Sequence, residues 1–474
     1  LMLKQEKKDK FRIVFYCSGN YEFIDEDYEG KGVGGAEASL ILLSRELARL
    51  GYIVDIYNAS LNQGTYNGVN YINLANFVTH EFCDVFVLFR NSYQGLKYVY
   101  SPLKIFWSCD QQTTNDWETE VIPYIDRTFA ISNYHKQYLL SHYPFQRNLV
   151  DVIDLGVITK DYETPEEKIP GKMIYCSVPR RGLIYLKELF PLIKKEVPHA
   201  ELYITADYRL WGAGPENAEF VAAFAGMSGV HFLGKICRAE LLQHQKTSEV
   251  MAYPCNYDEN FCISAIECIA AGTVPVTTAI GAMITTVADS GILIYEHPKH
   301  SKYRETFVPE VVKLLTDHEY RRGMAEKGHQ RALSKYAWDY LAKIQWEEKL
   351  LELLKQKMET FKFNYCTFCK KAFSDSYEFF RHRNKDHQIP TGNSFSGIPP
   401  TQKRNLVVEI KTKYSVQVSV NSHSWEGKRL LIPQDQAGDI VRILTDAYGP
   451  DVIDIARVYD QSLDNASPLI DTLT

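Results

Sequence analysis

Between Met251 and Val276 the chain reads MAYPCNYDENFCISAIECIAAGTVPV, and this stretch restricts the fold more than any other. Met251 to Pro254 is a short apolar run with the character of a buried strand, and Asn256 to Asn260 is a polar loop. Phe261 to Ala271 carries apolar residues at helical spacing and stops at Gly272, which tolerates the positive φ of a helix C-terminal cap. Thr273 to Val276 resumes as a strand. Strand, loop, helix and strand in this order belong to an α/β layer architecture. Two carboxylates punctuate the unit, Glu259 before the helix and Glu267 inside it, with seven residues between them. The first amides of a helix have no partner within it, so the turn through Asn260, Phe261 and Cys262 brings backbone donors to a place where a phosphate or diphosphate is well held. Carboxylates beside such a site can accept hydrogen bonds from sugar hydroxyls. The plain alternative is that both glutamates are solvated side chains.

The same theme opens the chain. Phe11 to Cys17 is a strand, and GKGVGGAEASLILLSRELARLGYIVDIYN supplies a glycine-rich turn, a helix and a second strand, the start of a doubly wound domain. Gly34 and Gly35 leave the backbone open to close approach by a ligand at a helix start, although tight strand-to-helix turns also use glycine for steric reasons alone. Further strands are expected at Asp84 to Phe89, Lys104 to Ser108, Arg127 to Ser132 and Val150 to Leu155, closing a first domain over residues 11–160. Asp161 to Lys172 is polar, contains two prolines and has linker character. A second α/β series then runs through KMIYCSV, PRRGLIYLKELFPLIKKE, AELYITA, GVHFLGK and AELLQHQKTSEV into the opening stretch, giving a second domain over residues 171–335. Two such domains in tandem leave a cleft at the C-terminal ends of their strands.

Composition narrows the class. A chain of 474 residues with 45% hydrophobic content can bury at least two cores. The net charge of −6 argues against a general polyanion binder. Ten cysteines, only one close pair among them, speak against a disulfide framework and for a reducing compartment. The segment LMLKQEKKDK lacks the apolar core of a signal peptide, and no apolar run of about 18 residues is long enough to span a bilayer. A soluble, cytoplasmic protein is the expectation.

The string ENFCISAIECIAAGTVPV closely resembles the donor-binding segment of the family-four glycosyltransferases of the GT-B fold, which carries Glu, seven residues and Glu before a small-residue helix end and a Val/Pro strand. The resemblance extends more weakly from about Phe11 to about Leu354. It implies two Rossmann-like domains facing a cleft, and a retaining transfer of a hexose from a nucleotide diphosphate sugar to a hydroxyl acceptor, without a catalytic metal. By the same resemblance Glu259 faces the transferred sugar and Glu267 the ribose, GGAE matches the family's glycine loop, and Glu37 goes with it. Where many relatives have His-Asp at a strand end, this chain has Cys109 and Asp110 in WSCDQQTTNDW; Asp110 remains a candidate for binding or orienting substrate, and Arg90 in LFRNSY is a weaker one. Relatives hold the leaving diphosphate with an Arg and a Lys. Here the Lys position falls at Arg181 and the Arg position at Cys176 or Ser177, so SVPRRGL matches better a branch of the family with a Ser-x-Pro-x-Arg-Gly-Leu turn. Arg181 is the expected phosphate clamp, and Arg180 a solvated neighbour. The helical pattern from Tyr336 to Leu354, within residues 336–358, is expected to cross back onto the first domain, as in the GT-B fold.

Past residue 360 a different module begins. Cys366 and Cys369, then twelve residues, His382, four residues and His387 have the spacing of a two-Cys two-His zinc finger over residues 361–390, and Phe373 and Phe379 stand where its small core needs them. These four ligands would close a tetrahedral, structural zinc site. Asp375 and Glu378 take two of the three base-reading positions, with Arg381 at the third, so docking or a structural role is favoured over reading DNA. Residues 404–474 follow a Pro/Gly/Ser linker and read as a small α+β domain that could bind acceptor or partner. The competing functional class is an adaptor that binds protein or nucleic acid through the finger on a degenerate transferase platform. A narrower variant is a glycosyltransferase directed to DNA.

Overall fold

The computed structural model describes residues 11–360 apart from 20, 80, 112–116, 146 and 206–217, and, further on, the segments 405–412, 425–426, 429–433, 453–460 and 470–473. Two compact units emerge from the contacts. The first comprises Leu1–Phe77, Val85–Ser92 and Lys104–Leu351, and the second Val78–Asp84, Tyr93–Leu103 and Glu352–Thr474.

The first unit holds two sheets. Strands β1 (Arg12–Tyr16), β2 (Ile53–Asn58), β3 (Gly64–Tyr66), β4 (Val69–Asn73), β5 (Val85–Phe89), β6 (Leu103–Trp107), β7 (Arg127–Ala130) and β8 (Val150–Val152) lie in the order β3-β4-β2-β1-β5-β6-β7-β8. β1 pairs parallel with both β2 and β5, and the short β3 runs antiparallel to its neighbour β4. The second sheet contains β9 (Lys172–Tyr175), β10 (Glu201–Ile204), β11 (Val230–Phe232), β12 (Val250–Tyr253), β13 (Val274–Thr278) and β14 (Ile292–Ile294) in the order β11-β10-β9-β12-β13-β14, parallel throughout. The central strands are buried over their whole length because helices cover both faces, which is why they read as unbroken apolar runs rather than as alternation.

Each sheet reverses its strand order once, between β1 and β5 and between β9 and β12. In an open parallel sheet such a reversal parts the flanking loops and leaves a crevice at the carboxyl ends of the strands. The chain fills both crevices with the segments singled out by the sequence, the glycine turn after β1 and the Glu259 loop after β12.

Two local departures from the sequence reading bear on the site. The helix expected from Phe261 runs from Ile263 to Ala270, because Cys262 adopts a left-handed backbone with φ 75° and holds the helix start two residues further on. The run PRRGLIYLKELFPLIKKE is not one helix. Two short turns, Pro179–Arg181 and Leu183–Tyr185, precede the helix Leu186–Glu196, and Gly182 between them has φ 114°. A Cβ on Gly182 would lie 2.0 Å from the Pro254 carbonyl oxygen, so this turn must approach the backbone after β12 without a side chain.

After the second domain the chain returns to the first. Val157 N–H donates to the Tyr336 carbonyl (2.7 Å) and Trp338 N–H to that of Val157 (3.1 Å). A wide helical turn, Leu341–Glu347, then inserts Trp346 among Phe15, Trp107 and Phe129, with ring centroids 6.1, 4.9 and 5.1 Å away. Trp346 is fully buried, and a buried aromatic of this size is a large apolar anchor for the crossing segment. Tyr52 Oη donates to Glu347 (2.8 Å) beside it.

In the second unit the described strands form an antiparallel sheet in the order Trp425–Glu426, Arg429–Pro433, Asn405–Thr412, Ile453–Asp460, Ile470–Leu473. The expected zinc ligands Cys366, Cys369, His382 and His387 lie outside the described residues.

Candidate active site

Both reversal points open onto one cleft of about 320 Å³ inside the first unit. On the second domain's side, Arg181 follows β9 and Glu259 follows β12. Arg181 Nη1 donates to both carboxylate oxygens of Glu259 at 3.0 Å, and Tyr253 Oη donates to Glu259 Oε1 at 2.6 Å. The Arg181 guanidinium also lies over the Tyr257 ring, 4.4 Å from its centroid. Burial works against the charge of Arg181, but the Glu259 carboxylate, together with Tyr253, Tyr257 and Cys262, outweighs it, and the guanidinium is held above its ordinary pKa. The Glu259 loop is itself fixed by backbone. Ala282 N–H donates to the Glu259 carbonyl (2.7 Å), and a Cβ on Gly281 would come within 2.6 Å of that oxygen.

Glu267 lies one helical stretch further in and is not solvated. Arg238 Nη1 donates to its Oε1 (2.6 Å) and Gln245 Nε2 to its Oε2 (3.0 Å). Arg238 also donates from Nη2 to Tyr162 Oη (2.9 Å) and faces Asp161 at 3.5 Å. Nothing in the local sequence marks Arg238. It stands at the first position of the helix Arg238–Thr247, where a basic residue has no special meaning, and only the fold carries it to Glu267.

On the first domain's side, Gly34 caps the helix Gly35–Arg49, and a Cβ on Gly35 would sit 3.2 Å from Ile263 Cδ1. Two helix N-termini therefore converge on the cleft, each with a first turn of unpaired amides and a positive dipole end. Glu37 does not face solvent but accepts from Arg90 Nη1. Arg90 also donates from Nε and Nη2 to Asp110 at 2.6 and 3.1 Å, and its guanidinium lies 4.7 Å from the Tyr21 ring centroid. Arg90 has φ 66°, an uncommon backbone for a side chain of this size, and this turn after β5 carries it to the reversal point. The weakest of the sequence candidates is thus the centre of this cluster.

Asp110 is supported from behind by His135. Ile131 N–H donates to His135 Nδ1 (3.3 Å), which leaves the proton on Nε2 to be donated to the Asp110 carbonyl (3.0 Å). Burial pushes this imidazole down to about 4, so it is neutral near pH 7. Cys109 is buried; burial and then the charge of Asp110 raise its thiol pKa, and it is neutral as well. Its backbone still serves the site. Asn260 Nδ2 donates to the Cys109 carbonyl (3.0 Å), joining the two domains across the cleft. Phe261 lines the cleft and packs edge-on to Tyr336 at 5.7 Å, and burial and then Glu259 raise the pKa of the Cys262 thiol.

Two Rossmann-like domains with parallel sheets, closed by a returning C-terminal helix, define the GT-B glycosyltransferase fold. Solved structures share it. A sucrose-phosphate synthase from Thermosynechococcus elongatus superposes with a TM-score of 0.55 at 15% identity, over 73% of this chain and 100% of that one. The Anabaena protein HepE in complex with UDP-glucose superposes with a TM-score of 0.54 at 14% identity, over 73% and 100%. Residues 170–317 match the family described as Glycosyl transferases group 1. Among curated proteins, a D-inositol 3-phosphate glycosyltransferase of Mycolicibacterium vanbaalenii is 26% identical over 202 residues, 38% of this chain and 44% of that protein. An uncharacterized glycosyltransferase of Methanocaldococcus jannaschii is 29% identical over 177 residues, 36% and 41%. The chain thus spans less than half the length of these curated relatives. No helix among the described residues is long and apolar enough to cross a membrane.

Proposed function

We propose that the chain is a retaining glycosyltransferase that moves a hexose from a nucleotide diphosphate sugar to a hydroxyl acceptor in the cytoplasm. The observation that carries this reading is the pair of arginine-held glutamates, Arg181–Glu259 and Arg238–Glu267, set along one wall of a cleft into which two helix N-termini point. In the reaction the bond between the sugar C1 and the diphosphate oxygen breaks, and a bond from C1 to the acceptor oxygen forms on the same face. The acceptor proton passes to the departing phosphate oxygen, so no protein nucleophile is needed. Arg181 and the first amides of the helices at Gly35 and Ile263 stabilise the leaving charge. Glu259 orients the sugar, Glu267 the ribose, and Asp110, held by Arg90, a sugar or acceptor hydroxyl. A divalent metal has no part in this scheme.

In the C-terminal module we assign Cys366, Cys369, His382 and His387 to one structural zinc per chain, from their spacing, with docking to a protein or nucleic acid as the module's role. Release of nucleoside diphosphate from a panel of nucleotide hexoses, with the anomeric configuration of the product read by NMR, tests the main reading. The expected result is turnover of at least one donor, retention at C1 and full activity in EDTA. An inverted product rules out the retaining scheme, strict dependence on magnesium or manganese rules out the metal-free one, and failure to bind any nucleoside diphosphate rules out the function.

A further inference from the structure

Past the end of β6, three successive backbone carbonyls of the first domain are engaged. The Cys109 carbonyl accepts from Asn260 Nδ2 (3.0 Å), that of Asp110 from His135 Nε2 (3.0 Å) and that of Gln111 from Tyr143 Oη (3.2 Å). The Gln111 side chain in addition donates from Nε2 to the Asp258 carbonyl. The first domain thus reaches the Glu259 loop at two points, Asp258 and Asn260, which stand on either side of the glutamate in the chain. The inner contact is buried, with Asn260 7%, Cys109 9% and Glu259 4% exposed, and the outer one lies at the surface.

Asn260 is an uneconomical residue for filling space. A carbonyl only accepts, so the group facing Cys109 must be the amide nitrogen, and this leaves Asn260 Oδ1 buried with no partner among the described residues. A half-satisfied buried amide is a poor device for stability alone. What its one bond does fix is position. Contacts between domains of one chain permit relative motion by default, and Asp110 and Glu259 stand on different domains, so their separation is set where the domains touch. We propose that Asn260 is a positioning residue whose side chain fastens the Glu259 loop to the strand end that carries Asp110, with Gln111 as a second, outer hold. This rests on the nucleotide-sugar reading above and deepens it. In that reading the hexose lies between groups of two domains, and a misplacement of about 1 Å can cost about 10²-fold in rate. The nucleoside diphosphate is held mainly by Arg181, Glu267 and the helix that starts at Ile263, all of the second domain, and depends far less on the two holds.

The test uses the full chain and two readouts, calorimetry with uridine, adenosine and guanosine diphosphates, and turnover of the matching nucleotide hexoses followed by diphosphate release. Asn260→Leu keeps the size of the side chain and removes the donor. Its kcat is expected to fall at least about tenfold, while Kd for the tightest diphosphate stays within about twofold. Gln111→Leu, at the surface, is expected to lower kcat about threefold with the same unchanged Kd. Equal losses of rate and affinity in Asn260→Leu mean that the side chain merely supports the loop from which the helix at Ile263 starts, and they overturn the proposal while leaving the donor reading intact. An unchanged kcat in either variant does the same. Should Asn260→Leu fail to fold, Gln111→Leu decides by the same split between rate and affinity. A wild-type chain that binds no diphosphate or turns over no donor overturns the donor reading itself.

Discussion

The two walls of the cleft solve the same problem differently. Among the residues that line the cleft, each glutamate of the second domain has its own arginine, Glu259 with Arg181 and Glu267 with Arg238, and the two pairs balance; Asp161, which also faces Arg238, does not line it. On the first domain one arginine, Arg90, serves two carboxylates, Glu37 and Asp110, and the cluster keeps a net negative charge. A neutral wall with exchangeable arginines suits an anionic diphosphate, which can compete with a carboxylate for its guanidinium. An acidic wall suits neutral hydroxyls and repels phosphate. The difference in charge count therefore gives the cleft a polarity, and under the proposed function the diphosphate would sit against the second domain and the acceptor hydroxyl against the first.

The largest expected effect tests the neutral wall. Arg181→Ala removes a cation aimed at the leaving charge, and kcat for donor turnover should fall on the order of 10²-fold. If kcat is unchanged, the leaving charge is stabilised elsewhere. An acid titration sharpens the contrast from the other wall. His135, which supports the Asp110 backbone, has a folded-state pKa of about 4 against an ordinary value of 6.5, so the unfolded chain takes up this proton first. Stability from the neutral imidazole is present above pH 6.5 and is lost as pH falls toward 4, by about 3 kcal/mol. His135→Gln should remove that part of the slope, measured as urea midpoints at pH 7 and pH 4.5, and an identical slope in the variant would place the acid lability in other groups. Third, Glu267→Gln should weaken nucleoside diphosphate binding by about 1.5 to 3 kcal/mol, the cost of a charge-assisted hydrogen bond. Glu259→Gln should leave that affinity equal or higher, because it loosens Arg181 for the diphosphate, while sugar transfer falls. Calorimetry that finds equal losses for both variants would reject the separate roles of the two glutamates.

What the sequence by itself determined is local. Apolar runs, the glycines at 34, 35 and 272 and the helical spacing around Glu267 specify strands, turns and helix ends because these depend on neighbours a few residues apart, and the Glu259–Glu267 spacing is legible because both residues belong to one strand–helix unit. The tertiary structure decided the partners. Arg238 reaches Glu267 from 29 positions away, Arg90 reaches Glu37 from 53 and Arg181 reaches Glu259 from 78, each delivered by the reversal of strand order or by the packing of a neighbouring helix. The left-handed turns at Arg90 and Cys262 were also beyond sequence reading, since neither residue favours that backbone on its own. Pairing charges across such separations requires the parallel sheets to be assembled first, and an arginine carries no mark in the chain of the carboxylate it will meet.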